Sequence, residues 1–301
     1  MVGITCLLIA LLLSYRMKEA RYLLFQLLPF RKRMYILIGS VFMFFIGMIQ
    51  IYLRYDPGFM SKNIIKLPDA MYSDSGDGFT CTGLACDGEF FYIGNVGKKF
   101  PPTEQGRASI VVSSFDFSTI INEIEIGSMF PEMKDVQGVT IDKCDETIWF
   151  CSFAENRIRH IDLNGNDLGY IEMEKPTGIA YDSRKDVLWV LSYTDLACID
   201  KSGHLISSIP IIKDGQDQIY LDEESNCIYL TAGKNYQGKS YVYVIELTKG
   251  VIIRKYTLAD SHAIEGICII GNNMIILNDG LYHNAKVASN QVNIYDLGEI
   301  Q

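Results

Sequence analysis

The chain has 301 residues, a formal net charge of −9 and 49% apolar residues, enough for one repeat array or two ordinary domains. Six of its Lys and Arg residues lie before residue 34, so the remainder is more acidic than the total, and nucleic acid is excluded as a partner. Seven cysteines fall outside the first apolar run with no CxxC and no matching His spacing, which excludes metal knuckles and points to buried free thiols.

The chain opens on an apolar run at 2–15 that is short for a bilayer span and lacks the basic flank of a cleaved signal peptide. It reads either as a short first span, making a helical hairpin with the next, or as a segment lying in the interface. Residues 1–33 therefore hold this run plus a basic cytoplasmic stretch, Arg16, Lys18, Arg21 and Arg31–Lys32–Arg33. Residues 34–53 follow as a transmembrane helix, because 35–53 carries no charge and is long enough to cross. The basic flank puts everything after it outside the cytoplasm, so a cell-membrane protein is expected, with a single-pass or hairpin anchor and an extracytoplasmic domain. Residues 54–63 read as a tether, and 64–301 as that domain.

Within 64–301 the unit DVQGVTIDKCDETIWFCSFAENRIRHIDLNGNDLGYIEM at 135–173 recurs with variation four more times. Four short strands are predicted in it, at 138–142, 147–152, 157–163 and 167–173, separated by the breaker-rich turns DKCDE, FAEN and NGN. Four antiparallel strands repeated at this period imply propeller blades.

The blades align on a dipeptide opening strand one (Thr82-Gly83, Gln137-Gly138, Thr177-Gly178, Asp217-Gln218, Glu265-Gly266) and on strand-two runs FYIGN, IWFCS, LWVLS, IYLTA and MIILN. Strand three ends on an acid in every blade (Asp116, Asp162, Asp200, Glu246, Asp296), read as a turn former. The fifth blade lacks a fourth strand. The lone strand at 64–67 supplies it, closing the ring on the chain's first strand and removing an exposed edge. The fold expected is all-β, a five-bladed propeller with N-strand closure behind a transmembrane segment; a degenerate sixth blade within 127–134 is the alternative.

The starts of strand one, the ends of strand two and the loops between strands two and three share one face. Long loops fall at 96–107, 233–239 and 280–289, in blades one, four and five, which the closed ring makes neighbours. Candidate ligand-binding residues in that sector are Asn95, Lys98, Lys99, Lys234, Tyr236 and Tyr282. Asp217, Glu265, Asn278 and Asp279 are candidate metal ligands, and His283 beside them is a candidate general base. Trp149 and Trp189 occupy one repeat position and are expected in the core.

The openings TGLA, QGVT, TGIA and EGIC, with lines such as SFAENRIRHIDLNG and TGIAYDSRKDVLWVLS, resemble the NHL-like, SdiA-regulated (YjiK-like) and gluconolactonase-type propellers over 64–301. The resemblance implies the fold and, in its lactonase branch, a divalent cation such as calcium at the channel mouth, held at x-Gly positions. Only Asp217 and Glu265 match that ring, since Thr82, Gln137 and Thr177 stand elsewhere. The absence of GxSxG, HExxH, Walker and GxGxxG motifs weighs against an enzyme. The function expected is a membrane-anchored propeller binding a glycan, a small anionic molecule or a partner protein on the face of blades four, five and one. The alternatives are a calcium-dependent lactonase or esterase and a structural subunit of an envelope assembly.

Overall fold

The structure, a computed structural model, describes residues 29–54, 58–67, 80–96, 108–211, 215–233, 240–261, 263–279 and 291–299. It divides into two units, Met1–Pro57 and Gly58–Gln301. The first contains helix α1 (Phe30–Arg54), which carries exposed apolar side chains such as Phe42, Phe44 and Phe45. Among the described residues no helix is long and apolar enough to cross a membrane. The apolar run at 2–15 lies outside the described residues.

The second unit is a propeller of five four-stranded antiparallel sheets. Blade 1 is β2 (Cys81–Cys86), β3 (Phe90–Asn95), β4 (Ser109–Ser114) and β5 (Ile120–Ile124); blade 2 is β6 (Val139–Asp142), β7 (Thr147–Ser152), β8 (Arg157–Asp162) and β9 (Asp167–Glu172). Blade 3 is β10 (Gly178–Asp182), β11 (Val187–Leu191), β12 (Asp195–Asp200) and β13 (Leu205–Pro210). Blade 4 is β14 (Gln216–Asp222), β15 (Cys227–Gly233), β16 (Ser240–Glu246) and β17 (Val251–Leu258). Blade 5 is β18 (Ile264–Ile270), β19 (Asn273–Asn278), β20 (Gln291–Asp296) and, from the other end of the chain, β1 (Asn63–Lys66).

The strand patterns follow from this stacking. A strand near the axis has a neighbouring blade on each face, so β7 and β11 are buried at every position and read as continuous apolar runs. The outermost strands face solvent, and β9 alternates. The core is accordingly five wedges, one at each blade-to-blade interface. Full burial of a side chain such as Phe150 in one wedge contributes about 2–3 kcal/mol. Trp149 and Trp189 are buried in two of the wedges, as expected.

The turns explain the recurring acids. Asp162 and Asp200 accept from backbone amides two residues on, Asn164 at 2.8 Å and Ser202 at 2.9 Å, which fixes the hairpin into strand four. The turn from strand one to strand two uses Asp142, Asp182 and Asp222 in the same way, and ends on Glu146, Asp186 and Asn226 at positive φ.

Ring closure is more extensive than one strand pairing. β1 lies antiparallel to β20, Asn63 opposite Ile294 and Lys66 opposite Gln291. Ahead of it, the Phe59 amide donates to the Thr257 carbonyl at 2.7 Å, and Asp260 accepts from the Ser61 amide, the Ser61 hydroxyl and the Tyr295 hydroxyl. The tether expected over 54–63 is therefore shorter, because from Gly58 the chain already packs on blade 4. The segment at 127–134 is not a sixth blade. It falls within a stretch made of the single-turn helix α2 (Ile126–Met129) and a crossing whose Phe130, Met133 and Val136 fill the wedge between blades 1 and 2.

Candidate functional site

The five inner strands, β2, β6, β10, β14 and β18, start together at one end of the central channel. The x-Gly dipeptides sit there because the inner strands must touch. The Gly83 amide donates to the Gln137 carbonyl of the next blade at 2.9 Å, and the Gly138 amide to the Thr177 carbonyl at 2.6 Å. A Cβ on Gly83 would lie 2.3 Å from the Gln137 oxygen, and one on Gly138 2.6 Å from the Thr177 oxygen, so only glycine permits this approach. Blade 4 has Gln218 at the corresponding place. Its side-chain amide donates to the Thr177 carbonyl at 3.3 Å and to Asp217 Oδ1 at 3.1 Å.

The register shifts at the openings of blades 1, 4 and 5, between Cys81 and Leu84, Gln216 and Ile219, and Ile264 and Ile267. Such bulges re-aim side chains. Here they hold Thr82, Asp217 and Glu265 at the mouth, around a cavity of about 240 Å³. Asp279, one residue past β19, completes its floor.

The floor is an acid trio. Glu265 and Asp279 are fully buried and Asp217 is half-buried, with Glu265 hydrogen-bonded to both aspartates. Burial first, then the charges of Asp217 and Asp279, pushes the Glu265 carboxyl well above the usual carboxylate range. Glu265 is thus a neutral acid that donates a proton into the trio. Among the described residues no group of three or more His, Cys, Asp or Glu side chains is arranged to hold a metal ion. Beneath the trio, the Cys81 thiol donates to the Asn278 carbonyl at 3.5 Å and is held protonated, by burial and then by the same acids.

Above the floor the cavity wall carries Thr82, Gln137 and Thr177, and two aromatic rings, Phe153 and Tyr193, stand at its edge. The rings meet edge to face at 5.3 Å, and Lys175 Nζ lies 4.4 Å over the Phe153 ring. Asp135 sets both the wall and the rim, accepting from Gln137 Nε2 at 3.2 Å, the Phe153 amide at 3.1 Å and the Ser152 hydroxyl at 2.5 Å.

Of the candidates read from sequence, Asp217, Glu265 and Asp279 come together at the mouth. Asn95 and Asn278 do not line it: Asn95 accepts from the Thr80 amide and donates to Ser109, and Asn278 donates to Asn293 and to the Ile276 carbonyl. Lys98, Lys99, Lys234, Tyr236, Tyr282 and His283 lie outside the described residues. Phe153, Tyr193 and Asp135 were not foreseen. The signal for the two rings was an aromatic directly after strand two in each short-looped blade; Asp135, ahead of blade 2, had none.

No family model matches the chain, and no curated protein matches it. Among solved structures, Myxococcus xanthus glutaminyl cyclase aligns at 10% identity over 79% of this chain and 99% of that one, with a TM-score of 0.53. Kuenenia stuttgartiensis hydrazine synthase aligns at 11% identity over 66% of this chain, which covers only 55% of that one, with a TM-score of 0.46. The Neurospora crassa Pan2 WD40 domain aligns at 12% identity over 82% of this chain and 72% of that one, with a TM-score of 0.45. The likeness shows the propeller fold and does not extend to chemistry.

Proposed function

We propose that this chain is a membrane-anchored, extracytoplasmic propeller of the NHL-like and YjiK-like type that binds an uncharged, sugar-like ligand at the channel mouth. The observation that carries the reading is the acid trio Asp217, Glu265 and Asp279 under a wall of hydroxyl and amide groups with the Phe153–Tyr193 pair at the edge. Carboxylates and amides take both donors and acceptors of a polyol, and an aromatic face packs on its C–H surface. The acidic floor disfavours a small anion as occupant. The trio comes from blades 4 and 5 beside Thr82 of blade 1, in keeping with the long loops of that sector.

The uncharged run at 35–53 supports the anchor. The basic residues at 16–33 support the sidedness.

Titration calorimetry of the full chain in detergent micelles with neutral cello- and chito-oligosaccharides tests the ligand. Saturable binding that weakens roughly tenfold in Asp217→Asn, the weight of one charge-assisted hydrogen bond, is the expected result. Heats absent across the series, or unchanged by Asp217→Asn and Tyr193→Ala, would refute it.

A second reading rests on the match of Asp217 and Glu265 to the lactonase-type ring, where calcium would serve a lactone or ester hydrolysis with His283 as the candidate base. A calcium-dependent rise in melting temperature that vanishes in Glu265→Gln would favour it.

A further inference from the structure

The far end of the channel, where the inner strands finish, holds a second cavity of about 520 Å³. Two of its side chains are thiols from adjacent blades. Cys86 ends β2 and Cys268 lies in β18. At the mouth, Gly266 of β18 packs against Thr82 and Leu84 of β2. Two residues further along, Cys268 therefore comes beside Cys86, and the two thiols pack in one cluster and line the same cavity.

The Cys86 sulfur also accepts from the Gly88 amide at 3.3 Å. Lys143 on the cavity wall adds a favourable charge and Asp87 an opposing one, while the Tyr220 ring lines the same space. Cys86 is half-buried and opens on the cavity, whereas Cys268 is buried behind it. Other buried thiols are different: Cys81 and Cys151 are pushed up by burial and locked as protonated groups. The neighbouring Cys268 thiol leads the effects that bring the Cys86 thiol down to about 7.

We propose that Cys86 and Cys268 form a dithiol–disulfide exchange site, with Cys86 the attacking sulfur, Cys268 the resolving sulfur and a small disulfide of glutathione type the oxidant. The Cys86 thiolate attacks one sulfur of RSSR, so that a Cys86–S–S–R bond forms, the R–S–S–R bond breaks and RS⁻ leaves to take up the Cys86 proton from solvent. Cys268 then loses its proton and attacks the Cys86 sulfur, expelling the second RS⁻, which is protonated in turn. Two protein thiols are oxidised to one disulfide and RSSR is reduced to two RSH. The new bond ties blade 5 to blade 1, the seam where the two ends of the propeller meet.

The reduced full chain in detergent micelles is incubated with oxidised glutathione, quenched in acid, alkylated and mapped by peptide mass. The expected product of wild type is a Cys86–Cys268 disulfide. Cys268→Ser should stop at a glutathione adduct on Cys86, and Cys86→Ser should give neither species. Wild-type alkylation of Cys86 should follow a midpoint near pH 7. Recovery of both thiols alkylated under conditions that modify the exposed Cys144, or an alkylation midpoint of Cys86 near 9, would overturn the proposal. Both wild-type measurements stand on their own if either variant folds poorly.

Discussion

Glu265 is buried between two aspartates, and its protonation has a thermodynamic consequence. The unfolded chain releases this proton near pH 4, while the folded chain keeps it, so the folded state binds more protons from there up to the raised pKa. The contribution is fully present below the unfolded value and is lost as pH rises toward the folded one, by up to about 1.4 kcal/mol for each pH unit. Glu265→Gln keeps a donor in place and removes the titration. Its melting temperature is expected to vary less than that of wild type between pH 5 and 8 and to exceed it at the upper end. Parallel curves for the two proteins would mean that the carboxyl is ionised when folded. At this scale the acids were legible in the sequence, because repeat register alone puts residues 217 and 265 on one ring. The roles of Asn95 and Asn278 were not, because a strand-ending amide can turn to the cavity or to its neighbours, and here it bonds Thr80 and Ser109, or Asn293. Phe153 and Tyr193 were not legible either, because loop length points to the long-looped sector whereas these rings follow strand two in the short-looped blades.

Strands make contact at two kinds of seam. Between inner strands the seam is glycine. Gly138→Ala would force the β6 and β10 openings apart against backbone atoms, an overpacking expected to destabilise by about 1–3 kcal/mol in denaturant unfolding. A variant as stable as wild type would show that the ring yields easily. At the outer edge the seam is Asp260, which binds Ser61 and Tyr295 across the closure. Asp260→Ala leaves the Tyr295 and Ser61 hydroxyls without their charged acceptor, and a loss of about 2–4 kcal/mol is expected, with faster hydrogen exchange at 63–66 than elsewhere in blade 5. Uniform exchange across the blade would place the weak point elsewhere. Strand order and N-strand closure were readable from repeats because each blade restates the same pattern of apolar runs and acid turns. The helix at Ile126–Met129 was not, being a single turn whose residues pack as a plug and follow no period. Nor was the reach of the closure back to Gly58, which depends on backbone bonds of Phe59 that any side chain could make.

Each blade ends in an outer strand paired on one side only, and the five wedges carry no intrinsic sign of the compartment the propeller occupies. In the anchored reading we propose, sidedness would be set by the other unit, through the six basic residues before residue 34 and the absence of charge at 35–53. The thiols offer a direct test. Of the described cysteines Cys144 is exposed, in the turn between β6 and β7, whereas Cys81, Cys151, Cys198, Cys227 and Cys268 are buried. A membrane-impermeant maleimide added to intact cells expressing the full chain is therefore expected to label Cys144 without permeabilisation. Cys144→Ser should remove most of that signal, the residue being Cys86 at the channel's far end. Labelling that appears only after permeabilisation would put the propeller in the cytoplasm. The anchor would then be inverted against its own basic flank, and the reducing conditions there would hold the Cys86–Cys268 pair as thiols. Labelling from outside places the same pair where disulfides persist, so one reagent locates the domain and sets the redox state in which its second cavity operates.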